Sequence, residues 1–247
     1  MIYLYTDFGW AGPYVGEMKA VIARALPDTS FIDLMHDAPE FNARASAYLL
    51  AALARQFHTG DICLAVVDPG VGQPDRRALL MEADGIFYVG PDNGLFAMIA
   101  RRAGQCHCDE ILWQPANCSD SFHGRDIFAP VVTRLQAGRT IETRAVTTDS
   151  LVGMDYPDQL AEIIYIDHYG NLVTGLDGAN LPTRTALHVS GRQLRQARTF
   201  ASVAEGNVFW YVNSMGLVEI SANRDNAAER LSLEIGSTVE IVQQAQP

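Results

Sequence analysis

In the first 142 residues, short apolar runs alternate with longer segments that carry helical spacing. The runs Ile2–Thr6, Phe31–Leu34 and Ile62–Val67 predict strands, and the third is continuously apolar, as in a buried parallel strand. Between them, apolar residues three and four positions apart predict helices over Pro13–Leu26 and Asn42–Phe57. This order predicts an α/β domain at residues 1–142, with a mostly parallel sheet and helices on its faces.

Four more elements are predicted in this first part. Two strands flank Asp84-Gly85, a strong hairpin turn signal. Two helices follow, and the second has Pro130 in its opening turns, where a missing N–H costs little. The predicted strands are Leu79–Glu82 and Ile86–Val89, and the helices are Leu95–Arg102 and Ile127–Leu135.

The pattern changes after residue 142. Residues 143–159 are polar, with Gly153 and Pro157, and are predicted to be a linker. Residues 160–247 contain short apolar runs separated by turns and no convincing helix, which predicts a small antiparallel sheet or barrel. The predicted strands are Glu162–Ile166, Leu172–Thr174, Ala186–Val189, Val208–Val212, Leu217–Ser221 and Thr238–Val242.

Charge and cysteine content narrow the functional classes. A net charge of −11 argues against a nucleic-acid-binding face, which needs clustered Lys and Arg. No apolar run approaches transmembrane length, and a cytoplasmic protein without membrane contact is expected. Among the four cysteines, only Cys106 and Cys108 are close in sequence. A C-x-C pair without a matching second pair is a poor zinc signal, so no metal is expected.

His123 is the first candidate for chemistry, because it lies directly ahead of the predicted helix Ile127–Leu135. The positive end of a helix dipole disfavours imidazolium and favours an anion, so a neutral imidazole there is suited to base chemistry. The alternative is an ordinary capping loop with a solvated histidine.

Two acids follow predicted strands of the first part. Asp7 follows Ile2–Thr6 and Asp68 follows Ile62–Val67, and each precedes a glycine-bearing loop. In open α/β sheets, ligands bind beyond the carboxyl ends of the strands, although a single Asp there can also be a cap or a turn residue. Either Arg76 or Arg77 could keep Asp68 ionised.

The second part offers polar loops instead. Asp167 to Asn171, the pair Asn213-Ser214, and Asn223 could supply amide and backbone contacts to a purine. The same residues are common in ordinary turns, so on chemistry alone this signal is weak.

Six segments, taken in this order, resemble the SAM hydroxide adenosyltransferase family, which is related to the fluorinase and chlorinase that use S-adenosylmethionine. They span nearly the whole chain. The matching segments are Thr6–Gly9 with Tyr14–Lys19, Val67–Gly72 with Arg76-Arg77, Gly90–Phe96, Phe122–Pro130, Ile166–Leu172, and Asn213-Ser214 with Glu219-Ile220 and Asn223.

The resemblance implies an N-terminal α/β domain joined to a C-terminal β-barrel, in a homotrimer that binds S-adenosylmethionine between neighbouring subunits. It implies hydrolysis of S-adenosyl-L-methionine to adenosine and L-methionine without a cofactor, by a triad that maps to Asp68, Arg76 and His123. The halogenase branch replaces the Asp and the His and carries an insertion where this chain has the tight Asp84-Gly85 hairpin. Whether Arg76 or Arg77 completes the triad stays open.

The resemblance also implies substrate contacts in both domains. Asp7 would bind the ribose hydroxyls. In the second domain, Asp167 and Ser214 would hold the ammonium and carboxylate of methionine. Asn171 and the backbone near Asn223 would bind the adenine edge, and Tyr169 and Phe200 would form its apolar walls. Tyr169 and Phe200 could instead be barrel core, and Asn171 a turn cap. Gly12 and Met215 depart from the residues that relatives often carry near the methionine end.

The reaction suits a single base. Attack at the ribose C5′ expels a neutral thioether from a sulfonium, so no general acid is needed, and the task is to present a desolvated water in line. Two alternatives remain from the sequence: a halide transferase that forms a 5′-halo-adenosine, and a non-catalytic adenosine or S-adenosylmethionine sensor.

Overall fold

The computed structural model describes residues 1–182 and 185–243, and Gln243 by its backbone alone. The chain divides into two units, Met1–Tyr156 and a second that begins at Pro157. Residues 183–184 and 244–247 of the predicted C-terminal domain lie outside the described residues.

The first unit is built on a seven-stranded sheet in the order β2-β1-β3-β5-β4-β6-β7. The four strands β2, β1, β3 and β5 pair in parallel, and β4, β6 and β7 continue the sheet antiparallel. Since β1 and β3 run side by side in one direction, their carboxyl ends lie at the same edge of the sheet. The strands are β1 Ile2–Thr6, β2 Phe31–Met35, β3 Ile62–Val66, β4 Ala78–Ala83, β5 Ile86–Pro91, β6 Cys106–Ile111 and β7 Thr143–Val146.

Helices cover this sheet, as the apolar spacing predicts. Asn42 caps the second helix by accepting a hydrogen bond from the backbone N–H of Ala45 at 3.0 Å. Pro130 is the second residue of the fourth helix, which a wide π-helical turn over Gly124–Phe128 precedes. The helices are α1 Tyr14–Ala25, α2 Ala43–Leu53, α3 Ala97–Arg102 and α4 Ala129–Gln136.

Two strands at the far edge of the sheet were not predicted. β6 has the sequence Cys-His-Cys-Asp-Glu-Ile, whose polar positions give no apolar alternation, and it exists because it pairs with β4. Thr143–Val146, assigned above to the linker, instead forms β7 and pairs with β6. The linker prediction is therefore wrong for these four residues. β7 is the edge strand, and edge strands are often polar, which hides them in a sequence pattern.

The second unit contains two antiparallel sheets, one in the order β12-β13-β9-β8 and one in the order β11-β10-β14. Two isolated bridges connect the sheets. Glu162 in β8 pairs with Thr238, just before β14, and Trp210 in β12 pairs with Gln196, just after β11. Apolar side chains of both sheets pack into one core. The strands are β8 Leu160–Ile166, β9 Leu172–Asp177, β10 Thr185–Val189, β11 Arg192–Leu194, β12 Val208–Val212, β13 Leu217–Ala222 and β14 Glu240–Gln243.

One short helix, α5 (Ala227–Leu231), contradicts the prediction that the second part has none. Asn226 caps it by accepting from the N–H of Glu229 at 3.0 Å, and Ser232 ends it in the left-handed conformation. A five-residue helix is too short for the periodicity on which the prediction depended.

Gly90 in β5 tests how tightly the first sheet is packed. A methyl group there would overlap the carbonyl oxygen of Ala65 and lie 2.9 Å from the ring of Phe96. We expect Gly90→Ala to lower the free energy of unfolding by about 1–3 kcal/mol, as overpacking does. The matched control is Gly16→Ala in α1, where the methyl group meets open space. It should stabilise by roughly 0.5–1 kcal/mol. Urea unfolding of both variants checks this, and equal effects would contradict it.

Candidate functional site

A cavity of about 400 Å³ opens at the carboxyl edge of β1 and β3 in the first unit. Its wall combines aromatic rings with ionisable groups. The residues that matter chemically are Phe8, Glu17, Asp68, Phe122, His123 and Arg125. The predicted acid at the end of β3 and the predicted histidine therefore line one cavity.

Asp68 follows Val67 at the end of the buried strand β3, and its side chain is only 3% exposed. Its Oδ1 accepts a hydrogen bond from the N–H of Gly70 at 3.0 Å and lies 3.4 Å from Nε of Arg76. Arg76 also donates from Nη1 to the backbone oxygen of Asp92 at 3.2 Å. Its Nε is buried and has no aligned acceptor among the described residues. Asp68 thus has the Arg76 guanidinium fixed beside it, and the Nε–H of that guanidinium makes no hydrogen bond among the described residues.

Arg77 has different partners. Its Nε donates to Oδ2 of Asp92 at 2.8 Å, and its Nη2 donates to the backbone oxygen of Ser150 at 2.5 Å. Of the two adjacent arginines, Arg76 is the one beside Asp68. The sequence left this choice open because neighbouring residues on a loop give no information about which one faces inward.

His123 occupies the N-terminal cap position of the π-helical turn that leads into α4. The prediction that it lies at a helix N-terminus is confirmed. Its ring is partly buried and makes no hydrogen bond within residues 1–182 and 185–243. The wide turn itself is closed by the N–H of Ala129 donating to the oxygen of Gly124.

Arg125 holds the histidine loop in place, and sequence reasoning gave it no role. Its guanidinium contacts Asp126 through two hydrogen bonds, at 2.7 and 2.9 Å, and Glu17 of α1 through a third, at 2.7 Å. The guanidinium also lies 5.1 Å from the centre of the Phe122 ring. Its hydrogen bonds are the main reason that the pKa of Asp126 lies below the ordinary carboxyl value. In the sequence, only the adjacency of Arg125 and Asp126 indicates this ion pair.

Asp7 follows β1 at the same edge of the sheet. Its Oδ2 accepts a hydrogen bond from the N–H of Phe41 at 3.0 Å. Burial raises the pKa of its carboxyl group, and the nearby carboxylates of Glu40 and Asp68 raise it further. Asp7 and Asp68 are therefore close enough to repel each other.

A larger cavity of about 890 Å³ lies within the second unit. Five of the six residues predicted to bind substrate there line it: Asp167, Tyr169, Asn171, Phe200 and Ser214. The sixth, Asn223, is absent from this wall. Its side-chain amide donates instead to the backbone oxygen of Val203 at 2.6 Å, although its neighbours Ala222 and Arg224 line the cavity.

Two of these residues shape their own loop. Oδ1 of Asp167 accepts hydrogen bonds from the N–H groups of Tyr169 and Asn171, both at 2.9 Å, and its Oδ2 accepts from the Asn171 side chain at 2.8 Å. Tyr169 is 75% exposed, so it is not a core residue of this chain. Phe200 is partly buried and meets the rings of Phe209 and Tyr211 edge-on.

Glu219 belongs to one of the six matching segments but was given no role there, and it lines this cavity. It lies on β13 and is 6% exposed, yet it carries a carboxylate. Three donors satisfy it: the Tyr211 hydroxyl at 2.6 Å, the Asn213 amide at 2.9 Å and the Ser221 hydroxyl at 3.1 Å. Burial, followed by the Glu219 hydrogen bond, raises the pKa of Tyr211. A single acid in a strand is more often exposed to solvent, so the sequence pattern gives no signal that Glu219 is buried.

Two features are absent from residues 1–182 and 185–243. No helix there is long and apolar enough to cross a membrane. In the same part of the chain, no three or more His, Cys, Asp or Glu side chains are grouped to hold a metal ion.

Comparison with known proteins adds to this geometry. Residues 2–145 match the model of the SAM hydroxide adenosyltransferase N-terminal domain, and residues 161–240 match that of the C-terminal domain. The chain is 35% identical to an (R)-S-adenosyl-L-methionine hydrolase of Salinispora tropica, over 96% of this chain and 95% of the relative. It is also 35% identical to one of Thermus thermophilus, over 98% and 99%.

A more distant relative and a solved structure also match the chain over nearly its full length. A fluorinase of Actinoplanes sp. is 23% identical over 98% of this chain and 97% of the relative. A crystal structure of an uncharacterized conserved protein from Thermotoga maritima superposes with a TM-score of 0.87 at 29% identity, covering 98% of this chain and all of that one. With both domain models matched in order and full-length relatives above 30% identity, the chain belongs to the SAM hydroxide adenosyltransferase family.

Proposed function

We propose that this protein hydrolyses S-adenosyl-L-methionine at the ribose C5′, giving adenosine and L-methionine. The observation that carries the proposal is that Asp68 and His123, two members of the triad that the resemblance implies for the hydrolase branch, line one cavity. The greater identity to hydrolases, 35% against 23% for a fluorinase, supports the same conclusion.

The proposed step needs one base and no acid. The oxygen of water attacks C5′, the C5′–S bond breaks, and its electron pair neutralises the sulfonium to a thioether. The proton that water loses passes to His123, whose ring has no competing hydrogen bond among the described residues. Arg76 is not among the residues that line the cavity, and its buried Nε lies 3.4 Å from Oδ1 of Asp68, so its charge would keep Asp68 ionised while Asp68 orients the attacking water.

The cavity wall favours this chemistry. Phe8, Phe122 and Phe128 line the same cavity as the ionisable groups, and their rings offer no hydrogen bond to a water molecule there. A water molecule with few competing partners is a stronger nucleophile, and charges act over a longer range in such surroundings.

Substrate recognition is proposed to combine both units. Asp7 would bind the ribose hydroxyls. In the second unit, Asp167 and Ser214 would bind the ammonium and carboxylate of methionine, and Asn171 with the backbone near Asn223 would bind the adenine edge. Tyr169 and Phe200 would supply aromatic walls, which suits the high exposure of Tyr169. A volume near 890 Å³ is within the range of small-molecule sites.

We also propose a homotrimer in which the first unit of one subunit and the second unit of its neighbour complete each site. Each unit has its own cavity, which supports this. Asp68 and His123 line the cavity of the first unit, and residues proposed to bind the substrate line that of the second. The two sheets of the second unit are proposed to close into a barrel, supported by the two bridges between them. All four cysteines are free thiols, which favours the cytoplasm.

A product assay tests the reaction. We expect purified protein to convert S-adenosyl-L-methionine to equal amounts of adenosine and methionine in chloride-free buffer, with no 5′-chloro product when chloride is added. The sulfonium is a stereocentre and the relatives' names specify (R), so the two epimers are assayed separately and the (R) form should react faster. A halogenated nucleoside would favour the halide transferase, and binding without turnover would favour the sensor.

Variants test the shared site. We expect His123→Ala to lose at least about 100-fold in kcat, the usual contribution of a positioned base. The double variant Asn171→Ala/Ser214→Ala should lose substrate binding. When the two inactive chains are co-expressed, about a quarter of interface sites in a cyclic oligomer regain both intact halves. Recovered activity in the mixed oligomer is the expected result, and none would contradict shared sites. Near wild-type turnover by His123→Ala would contradict its role as base.

A further inference from the structure

A chain of hydrogen bonds runs beside Asp7 and connects α1 to the end of β1. Nζ of Lys19 lies 3.1 and 2.9 Å from the two carboxylate oxygens of Asp33. Oδ1 of Asp33 lies 3.1 Å from Nε2 of His36, and Nδ1 of His36 lies 2.8 Å from Oγ1 of Thr6. Thr6 and His36 are fully buried. None of these four residues has a part in the reaction proposed above.

The direction of each hydrogen bond follows from donor and acceptor chemistry. The Asp33 carboxylate can only accept, so Nε2 of His36 carries the hydrogen. The buried Thr6 hydroxyl needs an acceptor, and Nδ1 of His36 is the one that it contacts among the described residues. Oγ1 of Thr6 is then free to accept the N–H of Phe8 at 3.3 Å. Each group has one role, so the imidazole has one orientation.

This series of hydrogen bonds fixes the backbone on both sides of Asp7. The Thr6-to-Phe8 hydrogen bond spans Asp7, as in the turns that threonine side chains stabilise. The backbone oxygen of His36 accepts the N–H of Gly9 at 2.7 Å, and that of Thr6 accepts the N–H of Ala38 at 3.1 Å. The histidine therefore holds the loop through its ring and its backbone.

Asp7 needs such support. It lies near two other carboxylates, Glu40 and Asp68, which repel it, and its donors are its own backbone N–H and the N–H of Phe41 on a neighbouring loop. On an unrestrained loop, its side chain would turn toward water and away from the edge of the sheet where Asp68 lies.

We propose that Thr6 and His36 are positioning residues that hold Asp7 in the orientation that binds the ribose hydroxyls of the nucleoside. This rests on the role proposed for Asp7. Asp33, itself paired with Lys19, fixes the tautomer of His36 and so acts one step further from the substrate.

The second unit offers a matched control for a test at Thr6. Thr174 is also fully buried, its hydroxyl donates to the oxygen of Val218 at 2.8 Å, and its Oγ1 accepts the N–H of Leu176 at 3.3 Å. Thr6→Val and Thr174→Val therefore each remove one hydrogen bond from a buried hydroxyl and one accepted from the N–H two residues on, and only Thr6→Val disturbs the histidine. The readouts are adenosine affinity by calorimetry, kcat and KM for S-adenosylmethionine, and urea unfolding.

We expect Thr6→Val to weaken adenosine binding and raise KM by about tenfold, the scale of a lost hydrogen-bond network, with a smaller change in kcat. Thr6→Ser, which keeps the hydroxyl, should restore binding. Thr174→Val should lose similar stability and keep its adenosine affinity. In an Asp7→Ala background, Thr6→Val should have no further effect on affinity, because the two residues act as one.

Equal loss of affinity in both valine variants, or a full additional loss in the Asp7→Ala background, would overturn the positioning role. If the wild-type protein binds adenosine but does not split S-adenosylmethionine, hydrolysis fails and the affinity cycle still decides this inference. If it does not bind adenosine at all, both the ribose role of Asp7 and the positioning role are wrong.

Discussion

Parallel pairing of β1 with β3 is the constraint on which the rest of the first unit depends. The two strands are in register from Ile2↔Ile62 to Thr6↔Val66, so the residues that follow them emerge together. Those residues include two acids, Asp7 and Asp68, whose charges repel. The surrounding loops are arranged to compensate for that repulsion: Arg76 and the Gly70 N–H hold one carboxylate, and the Phe41 N–H holds the other.

The second unit also stabilises a buried carboxylate, but with neutral hydrogen-bond donors. Glu219, one of its buried acids, has no cation among its described hydrogen-bond partners, and three neutral donors satisfy it instead. Such networks stabilise only when complete, because a buried carboxylate with an unpaired oxygen is costly. The donors come from β12, β13 and the turn between them, so the network also fixes the wall of the larger cavity.

Much of this architecture is predictable from the sequence, and the exceptions have physical causes. β3 is predictable because every residue in it is apolar and buried, and the cap at Asn42 because its chemistry is local. β6 and β7 are not, since long-range pairing rather than side-chain alternation creates them. The α/β first part and the antiparallel second part follow from periodicity alone.

Site residues divide in the same way. Asp68 and His123 are predictable as candidates because strand ends and helix starts are visible in a sequence. The choice between Arg76 and Arg77 is not, since it depends on which guanidinium the loop turns inward. The adenine contact expected from the backbone near Asn223 stays a prediction, and the Asn223 side chain donates to the backbone oxygen of Val203. A sequence gives the type of a side chain but not the direction in which it points.

The wide turn over Gly124–Phe128 has a consequence for how this family can vary. A π-helical turn holds one residue more than an α-helical turn, and one residue corresponds to about 100° of rotation about the axis. Deleting any single residue of this turn would leave a regular helix and swing His123 away from the wall that it shares with Asp68. The histidine is thus protected by chain length as much as by residue identity. An alignment scored only on substitutions would overlook a relative that keeps every named side chain and has lost their geometry.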